Sequence, residues 1–512
     1  MNKKLKILII ICTTIIISII AYSQVLPLKI KHPSNDFKPI EIKDANANNQ
    51  DNNMILSFLY NLSREIHPTG SEANYRVREY IEKCLTEMDV AYEIQSTELD
   101  EVFFEEKRQS FIDIMEDVKS NAYDEIKKYA KGKDVDSVVK AELGYNSFEE
   151  YFNTELMNGS TIEKEAQEYY DEKLAQYKGE TLNNIFINLS NQQEGQNILL
   201  VAHYDSDIES YGAGDDGIAV ASLLETIRCS KDKNLKNNIY VLITDGEENN
   251  YWGAIEFIKN TNIDFDLVIN FDNSGNSGNP NLYHYSNDSI AKQYFKSVKN
   301  ETSYSFSNDL IYNPASEYFQ GEVSDAFIFS EEGYNTLDFS LIGTPYYYHS
   351  KNDTFENIDV KSLNTLTKTM IELVDYYGNN NVIMDSAYKS VNFKIVNGLE
   401  FSVSKTMYLI VSVLLILANL IFTIIMFKKK EKIIKRILSI LCIALATITL
   451  ILLQNFSILI SLPMVIYFIT DYIKNKIAKE ISRIVLFELY LLVILQPLIM
   501  IMQFIIWLNV RN

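Results

Sequence analysis

Short apolar runs alternate with amphipathic stretches between residues 50 and 385, and this alternation predicts a globular α/β domain. The runs lack the polar alternation of half-exposed strands, so they are typical of strands buried on both faces. They occupy residues 185–189, 198–202, 239–244, 267–271 and 336–339, with helices predicted over 218–228 and 252–258. The pattern therefore predicts a mostly parallel or mixed central sheet flanked by helices.

The segment before these strands predicts two helices, an edge strand and an insertion. Apolar residues recur at helical spacing over 53–88, with a turn at 67–71, and residues 91–97 read as an edge strand. Residues 100–180 are charged, rich in tyrosine and helical in period, which predicts an inserted helical subdomain. The sequence leaves open whether this subdomain caps the functional site or only decorates the surface.

The apolar pattern changes at both ends of the chain. Residues 407–427, 438–453, 456–469 and 484–508 are runs that approach or reach the length needed to cross a hydrocarbon core of about 30 Å. A further run, 7–20, follows three lysines, which is the layout of a membrane anchor or a secretory signal. We therefore predict an N-terminal anchor or signal over 1–24, a juxtamembrane segment over 386–405 and about four membrane helices over 406–512.

Clusters of lysine and arginine set the predicted orientation, because these residues stay on the cytoplasmic side of a membrane. They lie at the N terminus, over 428–436 and over 474–483. All three clusters face the cytoplasm only if residues 25–405 face outward. The prediction is a multi-pass protein with an extracytoplasmic domain over 50–385, in a bacterial plasma membrane or, as the alternative, an organelle membrane.

The net charge excludes one class of partner. The chain has 47 basic and 68 acidic residues, a formal net charge of -21. Phosphate groups would be repelled by such a surface, so nucleic acid is not an expected partner. A membrane is the partner that the apolar runs predict.

Candidate metal ligands follow three of the predicted strands and precede one predicted helix. Ligand sites of open α/β sheets form beyond the carboxyl ends of the strands, so these side chains are expected at one edge of the sheet. They are His203, Asp215, Glu248 and Asp272, and Glu247 lies beside them in the sequence.

The types of these residues match zinc chemistry. Zinc accepts imidazole nitrogen and carboxylate oxygen, and a catalytic site leaves one position for water. Two ions need about three protein ligands each, so five ligands suffice if one carboxylate bridges. The candidate ligands are His203, Asp215, Glu248, Asp272 and His349. Glu247 is then left beside the site, where a general base is required.

Three further residues are candidates to support this chemistry. Asp205 lies on the same side of an extended chain as His203, and Asp353 follows His349 by four residues. Both are candidates to accept the second ring N–H of a ligating histidine. Tyr348 carries a hydroxyl that is a candidate to stabilise a developing oxyanion.

These motifs resemble those of the clan MH zinc exopeptidases, which include bacterial aminopeptidases, glutamate carboxypeptidases and glutaminyl cyclases. Among them, the chain is most similar to the branch found in vacuolar and endoplasmic-reticulum membranes. The matching stretches are 64–74, 199–205, 212–216, 244–248, 268–272 and 348–354.

The resemblance implies a zinc aminopeptidase-like fold and a role for each ligand. Asp215 would bridge two zinc ions, with His203 and Asp272 completing one ion and Glu248 and His349 the other. Glu247 would activate a water that bridges the ions.

The chain departs from the resembled pattern at two places. Gly214 precedes the implied bridging residue, where related aminopeptidases usually have Asn or Asp, and Ile218-Ala219 replaces a pair of small residues. The insertion over 100–180 has no counterpart in the minimal aminopeptidases. The first departure alters a turn without removing a ligand, and the insertion bears on substrate access.

The sequence thus predicts a membrane-anchored two-zinc metallopeptidase, an aminopeptidase that hydrolyses N-terminal peptide bonds. A carboxypeptidase, a dipeptidase or a glutaminyl cyclase-like enzyme on the same site is the first alternative, because no motif shows which end of the substrate is bound. A non-catalytic receptor or scaffold is the second. A transporter is the third alternative. The predicted spans show no cluster of charged residues that would mark a transport pathway, and Glu488 is the one acidic residue in the last of them.

Overall fold

The computed structural model describes residues 30–46, 49–189, 194–294, 306–307, 324–341, 343–385, 390–396 and 399–428. The predicted N-terminal anchor and the predicted spans at 438–453, 456–469 and 484–508 lie outside the described residues. These assignments therefore stay predictions.

Helices and strands alternate along most of the described chain. The helices are α1 (Asn52–Leu62), α2 (Glu72–Glu87), α3 (Glu101–Ala130), α4 (Val135–Glu142), α5 (Phe148–Tyr151), α6 (Ile162–Tyr177), α7 (Ile218–Ser230), α8 (Trp252–Asn260), α9 (Asp288–Gln293), α10 (Asp325–Glu331), α11 (Val360–Tyr377) and α12 (Lys405–Lys428). The strands are β1 (Tyr92–Glu98), β2 (Thr181–Asn188), β3 (Asn197–His203), β4 (Asn238–Thr244), β5 (Leu267–Phe271), β6 (Asn281–Tyr285), β7 (Phe306–Ser307), β8 (Thr336–Ser340), β9 (Ser390–Val396) and β10 (Leu399–Ser404).

The main sheet is mixed, as the apolar pattern predicts. Its strand order is β1-β2-β4-β3-β5-β8-β6-β7. The central strands β4, β3, β5 and β8 run parallel to one another, whereas β2 and β6 pair antiparallel with β4 and β8. The predicted α/β fold with helices on both sides of a mixed sheet is therefore confirmed.

The central strands are buried on both faces, which explains their uninterrupted apolar sequence. On one face Leu200 belongs to a large core with residues of α7 and α11, such as Leu223 and Leu366. On the other face Val201 packs in a smaller core with Phe257 of α8. Because successive side chains of a strand point to opposite faces, one short run supplies both cores.

The predicted pair of helices before the sheet is present, and both helices begin at a capping residue. Asp51 accepts the backbone N–H groups of Asn53 and Met54 at the start of α1. Ser71 accepts the N–H of Asn74 at the start of α2. Such caps satisfy amides that have no partner within the helix. They place the turn at 67–71 where the sequence predicts it.

Residues 95–183 form a second compact unit within the chain. Its helices α3 to α6 enclose a small apolar core: Val135, Val139, Phe148, Phe152, Met157 and Ile162. Glycines interrupt the helical pattern, and Gly132 and Gly144 have φ of +90° and +86°. That conformation is disfavoured for residues with a Cβ atom, so glycine suits the turns that follow α3 and α4.

The described chain ends with a hairpin and a helix. Strands β9 and β10 pair antiparallel, and α12 follows. Within the part of the chain that the structure describes, no helix is long and apolar enough to cross a membrane. The membrane region over 406–512 stays a prediction.

Candidate metal centre

The site is built at the carboxyl ends of three parallel strands. His203 is the last residue of β3 and lies opposite Thr244, the last residue of β4. Glu247 and Glu248 follow β4, and Asp272 follows β5. Since the three strands are adjacent and parallel, their ends bring these side chains to one edge of the sheet.

Asp215 lies between the two candidate histidines. Its Oδ1 atom is 3.1 Å from Nε2 of His203, and its Oδ2 atom is 3.1 Å from Nε2 of His349. Asp215 belongs to the short turn Ala213–Gly217 that precedes α7, and the peptide bond between Asp215 and Asp216 is cis. Each oxygen of one carboxylate thus faces a different imidazole, the arrangement that a bridging ligand requires.

The acidic candidates fall into two groups around Asp215. The potential ligand atoms of His203, Asp215 and Asp272 lie within 4.8 Å of one another, and all three residues are buried. On the other side, Oε2 of Glu248 is 3.2 Å from Nε2 of His349. The five predicted ligands therefore meet at one place.

The donor atoms fit a bound divalent cation. Imidazole nitrogen and carboxylate oxygen are the ligands that zinc takes in proteins. The Oε1 atom of Glu248 is buried and has no hydrogen-bond partner among the described residues. A buried carboxylate oxygen without a partner is costly unless a cation or a donor meets it. This orphaned atom lies on the residue that the sequence predicts as a ligand.

The electrostatics of the site point to the same requirement. Burial, followed by the charge of Asp215, raises the pKa of Asp272 well above its usual range. The same two causes raise the pKa of Glu248 to about 7. Although burial alone would raise it, the pKa of Asp215 falls to about 2 because His203 and His349 bond to it. Carboxylates crowded in this way resist ionisation until positive charge compensates them.

Asp205 contacts both His203, at the end of β3, and the loop that follows β4. The ring Nδ1 of His203 lies 3.0 Å from the backbone carbonyl of Asp205 and 3.4 Å from its Oδ1 atom. The Asp205 carboxylate accepts the backbone N–H of Glu247 at 3.1 Å and that of Glu248 at 3.3 Å. Thr69, from the turn between α1 and α2, donates its hydroxyl to the same carboxylate at 3.1 Å. Asp205 therefore ties the end of β3 to the loop after β4.

Asp353 supports a different residue from the one predicted. Its carboxylate accepts the backbone N–H of Gly214 at 2.6 Å and that of Asp215 at 3.1 Å. A turn closed by the bond from its own N–H to the carbonyl of Ser350 directs the side chain to the 213–215 loop. The predicted pairing of Asp353 with the ring of His349 is thus replaced by a contact with the backbone that carries Asp215.

Asp207 is the carboxylate nearest the second ring nitrogen of His349. Its Oδ2 atom is 3.9 Å from Nδ1 of His349, and its ligand atoms group with those of Glu248 and His349. Its Oδ1 atom accepts the backbone N–H of Glu209 at 2.8 Å. Nothing in the sequence distinguishes Asp207, because it lies in an irregular loop with no strand end or motif to mark it.

Tyr348 and Glu247 border the ligands. The ring of Tyr348 stacks on His349, with centroids 3.8 Å apart and an interplanar angle of 18°. Burial and then the charges of Asp215 and Asp272 raise the pKa of Tyr348 well above its usual range, so its hydroxyl remains a donor. The Oε2 atom of Glu247 is 4.0 Å from Nε2 of His203.

A further buried acidic residue near the site, Asp325, was not predicted from the sequence. Asp325, the first residue of α10, accepts the hydroxyl of Thr244 at 2.6 Å. Its charge is among the causes that raise the pKa of Glu247, after burial and the charges of Asp272 and Glu248. It follows a segment without any strand pattern, so nothing in the sequence marks it as a neighbour of the site.

One protein family matches this region of the chain. Residues 184–374 match peptidase family M28. The vacuolar membrane protease of Candida glabrata is 27% identical over 213 residues, which are 41% of this chain and 22% of that protein. A vacuolar membrane protease of Saccharomyces cerevisiae is 29% identical over 231 residues, 44% of this chain and 23% of that protein. The alignment therefore spans less than a quarter of each relative.

Solved structures give only distant matches. A zinc aminopeptidase from Bacillus subtilis is 14% identical, with a TM-score of 0.43, and covers 63% of this chain and 94% of its own. A glutaminyl cyclase from Porphyromonas gingivalis is 15% identical, with a TM-score of 0.40, and covers 64% and 98%. The family match, by contrast, contains every predicted ligand, from His203 to His349. Residues 184–374 of this chain are therefore similar to peptidase family M28 over the region that holds the site.

Proposed function

We propose that this chain is a two-zinc metallopeptidase. Asp215 would be a ligand of both ions, His203 and Asp272 would hold one of them, and Glu248 and His349 would hold the other. The observation that carries the proposal is the position of Asp215, whose two oxygens each lie 3.1 Å from a different imidazole nitrogen. The match to peptidase family M28 supports peptide hydrolysis as the reaction.

The residues beside the ligands have defined tasks in this reaction. Zinc held here would polarise the substrate carbonyl and acidify water. Glu247 takes a proton from the attacking water and passes it to the leaving amine, since its carboxylate borders the ligands and is not needed among them. Tyr348 donates its hydroxyl to the carbonyl oxygen as negative charge develops there. Asp205 holds Glu247 in place through the backbone bond of 3.1 Å.

We propose that the substrate is bound by its free amino end, which makes the enzyme an aminopeptidase. The proposed zinc ions would offset the charge of the ligand carboxylates, which leaves the partly exposed carboxylate of Asp207 at the rim as the negative group that an incoming substrate meets. Such a field attracts an α-ammonium group and repels an α-carboxylate. This favours an aminopeptidase over the carboxypeptidase alternative.

We also propose that the chain acts at a membrane. Support comes from the relatives named as vacuolar membrane proteases and from the apolar runs in the sequence. The number of spans, the outward orientation and the choice between a bacterial plasma membrane and an organelle membrane stay predictions.

The direct test is metal content and hydrolysis by the purified full-length chain. The expected result is about two zinc ions per chain and chelator-sensitive cleavage of aminoacyl amides that have a free amine. Cleavage of N-blocked or carboxyl-terminal substrates with bound zinc would favour the carboxypeptidase or cyclase alternatives. A chain that binds no zinc and cleaves none of these substrates would contradict the enzyme proposal and favour a scaffold.

A further inference from the structure

Gly214 lies in a crowded, buried position next to the proposed bridging ligand. A Cβ atom at residue 214 would approach Oδ1 of Asn276 to 2.6 Å and Oδ1 of Asp353 to 2.9 Å. The first distance is shorter than any ordinary contact, so a side chain at residue 214 would displace Asn276. The space beside residue 214 is therefore filled by a side chain from another part of the fold.

Asn276 bonds directly to the carboxylate that holds the bridging loop. Its Nδ2 atom donates to Oδ1 of Asp353 at 2.8 Å, and Asn276 is only 1% exposed. The same Oδ1 atom of Asp353 accepts the N–H of Gly214, and the other oxygen accepts the N–H of Asp215. Asn276 thus reaches Asp215 through a single intermediate, the Asp353 carboxylate.

The backbone around Asn276 is held on both sides, so its amide has a fixed position. The carbonyl of Asn276 accepts the N–H of Asp359, the residue that caps α11, at 3.0 Å. Ser277 and Gly343 exchange two backbone hydrogen bonds, at 3.3 and 2.8 Å. An acceptor held by a rigid donor keeps its orientation better than one held by mobile water. Asp353 is held in this way.

We infer that Asn276 is a positioning residue for the metal-bridging carboxylate, and that it occupies the space left by the absence of a side chain at residue 214. This inference rests on the proposed two-zinc function. Asn276 fixes the rotamer of Asp353, Asp353 fixes the amides of residues 214 and 215, and the loop then presents both oxygens of Asp215 to the two histidines. The ligand geometry depends on a side chain that touches no ligand.

The test measures zinc binding by the purified full-length chain and by its Asn276→Ala variant, using competition with a chromophoric chelator. Loss of a residue that orients a ligand typically weakens metal binding by about 10- to 100-fold. We expect a loss of this size and a changed visible spectrum after cobalt(II) replaces zinc, since that spectrum reports ligand geometry. Parent-like zinc affinity together with a parent-like cobalt spectrum would overturn the inference.

Asn237→Ala is the matched control. Asn237 is also buried and donates its amide to the carbonyl oxygens of Tyr377 and Asn380, at 2.7 and 3.0 Å. It precedes β4, at the opposite end of that strand from Glu247 and Glu248. This variant should unfold more easily and keep the parent's zinc affinity. A loss of zinc affinity equal to that of Asn276→Ala would mean that general destabilisation explains both, and would overturn the inference.

Two further variants keep the inference testable if Asn276→Ala does not fold. Asn276→Ser keeps a small polar side chain, and the same loss of zinc affinity is expected because serine is too short to reach Asp353. Gly214→Ala should weaken zinc binding by itself, but adding Asn276→Ala removes the atom at 2.6 Å. The double variant should therefore lose less affinity than the product of the two single losses. Losses that simply multiply would contradict the direct contact on which the inference depends.

Failure of this inference is distinct from failure of the proposed function. A parent chain without bound zinc would contradict the proposed function, and the inference with it. A parent chain with two zinc ions whose affinity does not depend on Asn276 would contradict the inference alone.

Discussion

The backbone amide of Glu247 donates a 3.1 Å hydrogen bond to Oδ1 of Asp205, which joins the proposed general base to the strand that ends in His203. The next amide, that of Glu248, donates to the other oxygen of the same carboxylate at 3.3 Å. One buried side chain therefore sets the position of a proposed base and a proposed ligand together. The chemistry of the site depends on this pairing of two loops.

Replacing Asp205 with asparagine should loosen that pairing. An asparagine offers one acceptor oxygen, so one of the two amides would face an NH2 group and lose its bond. A buried amide left without a partner costs about 1–3 kcal/mol. We expect a comparable loss in the free energy of unfolding, measured by urea denaturation, and a lower kcat. Full stability and full kcat in the variant would show that the two amides do not depend on the carboxylate.

Replacing Glu247 with glutamine should separate catalysis from metal binding. Glutamine keeps the size of the side chain but cannot take a proton, and general base catalysis contributes about 10²- to 10⁴-fold to a rate. We expect kcat to fall by that factor while zinc content stays at the parent value. Glu331→Gln, on the exposed surface of α10, is the control that should change neither quantity. Retained turnover in Glu247→Gln would remove Glu247 from its proposed role.

The meeting of the candidate ligands at one edge could be predicted from the sequence because their positions follow from the sheet. His203 and Asp272 come directly after apolar runs that become β3 and β5, so the edge where they meet is fixed once the strands are recognised. The partner of Asp353 could not be predicted in this way. The turn over 350–353 directs that carboxylate to Gly214 and Asp215, and a spacing of four residues from His349 carries no information about the turn.

Parts of the fold that lack a clear apolar pattern could not be predicted from the sequence either. Strand β6 (Asn281–Tyr285) lies between segments rich in glycine, asparagine and serine, and its short polar and aromatic sequence does not resemble a buried strand. It pairs with β8 on the outer side of the sheet, where long-range pairing decides the conformation rather than local preference. Asn276, in the loop between β5 and β6, lacks any periodic signal for the same reason.

Removing the metal should make stability depend on pH in a specific direction. Without a cation, burial and the charge of Asp215 raise the pKa of Glu248 from its usual 4.5 to about 7. Between those values the folded chain binds more protons than the unfolded chain, so the free energy of unfolding falls as pH rises. We expect the chelated protein to lose thermal stability from pH 5 to 7, and added zinc to abolish most of this slope.

The control for this experiment is the Glu248→Gln variant, which cannot ionise at that position. Its chelated form should show a shallower decline over the same range. A chelated parent chain whose stability rises between pH 5 and 7 would contradict the crowding of carboxylates described above.

Asp207 provides a test of how the second ligand set is organised. Nε2 of His349 faces Asp215 and Glu248, so the proton of the ring belongs on Nδ1, and the nearest carboxylate to Nδ1 is Asp207 at 3.9 Å. A carboxylate in that place favours the tautomer that leaves Nε2 free to bind metal. Asp207→Asn removes the charge but keeps an oxygen able to accept the N–H of Glu209.

We expect Asp207→Asn to weaken the binding of one zinc ion and to leave the binding of the other unchanged. Calorimetric titration of the metal-free variant should show one tight site, formed with His203 and Asp272, and one site weakened by about 10-fold or more. Glu209→Gln, an exposed change in the same loop, should leave both sites tight. Since each ligand set shares only Asp215 with the other, a selective loss is the outcome that distinguishes an effect on His349 from a general disturbance of the bridge. An equal loss of affinity for both ions would mean that Asp207 acts through Asp215 rather than through His349.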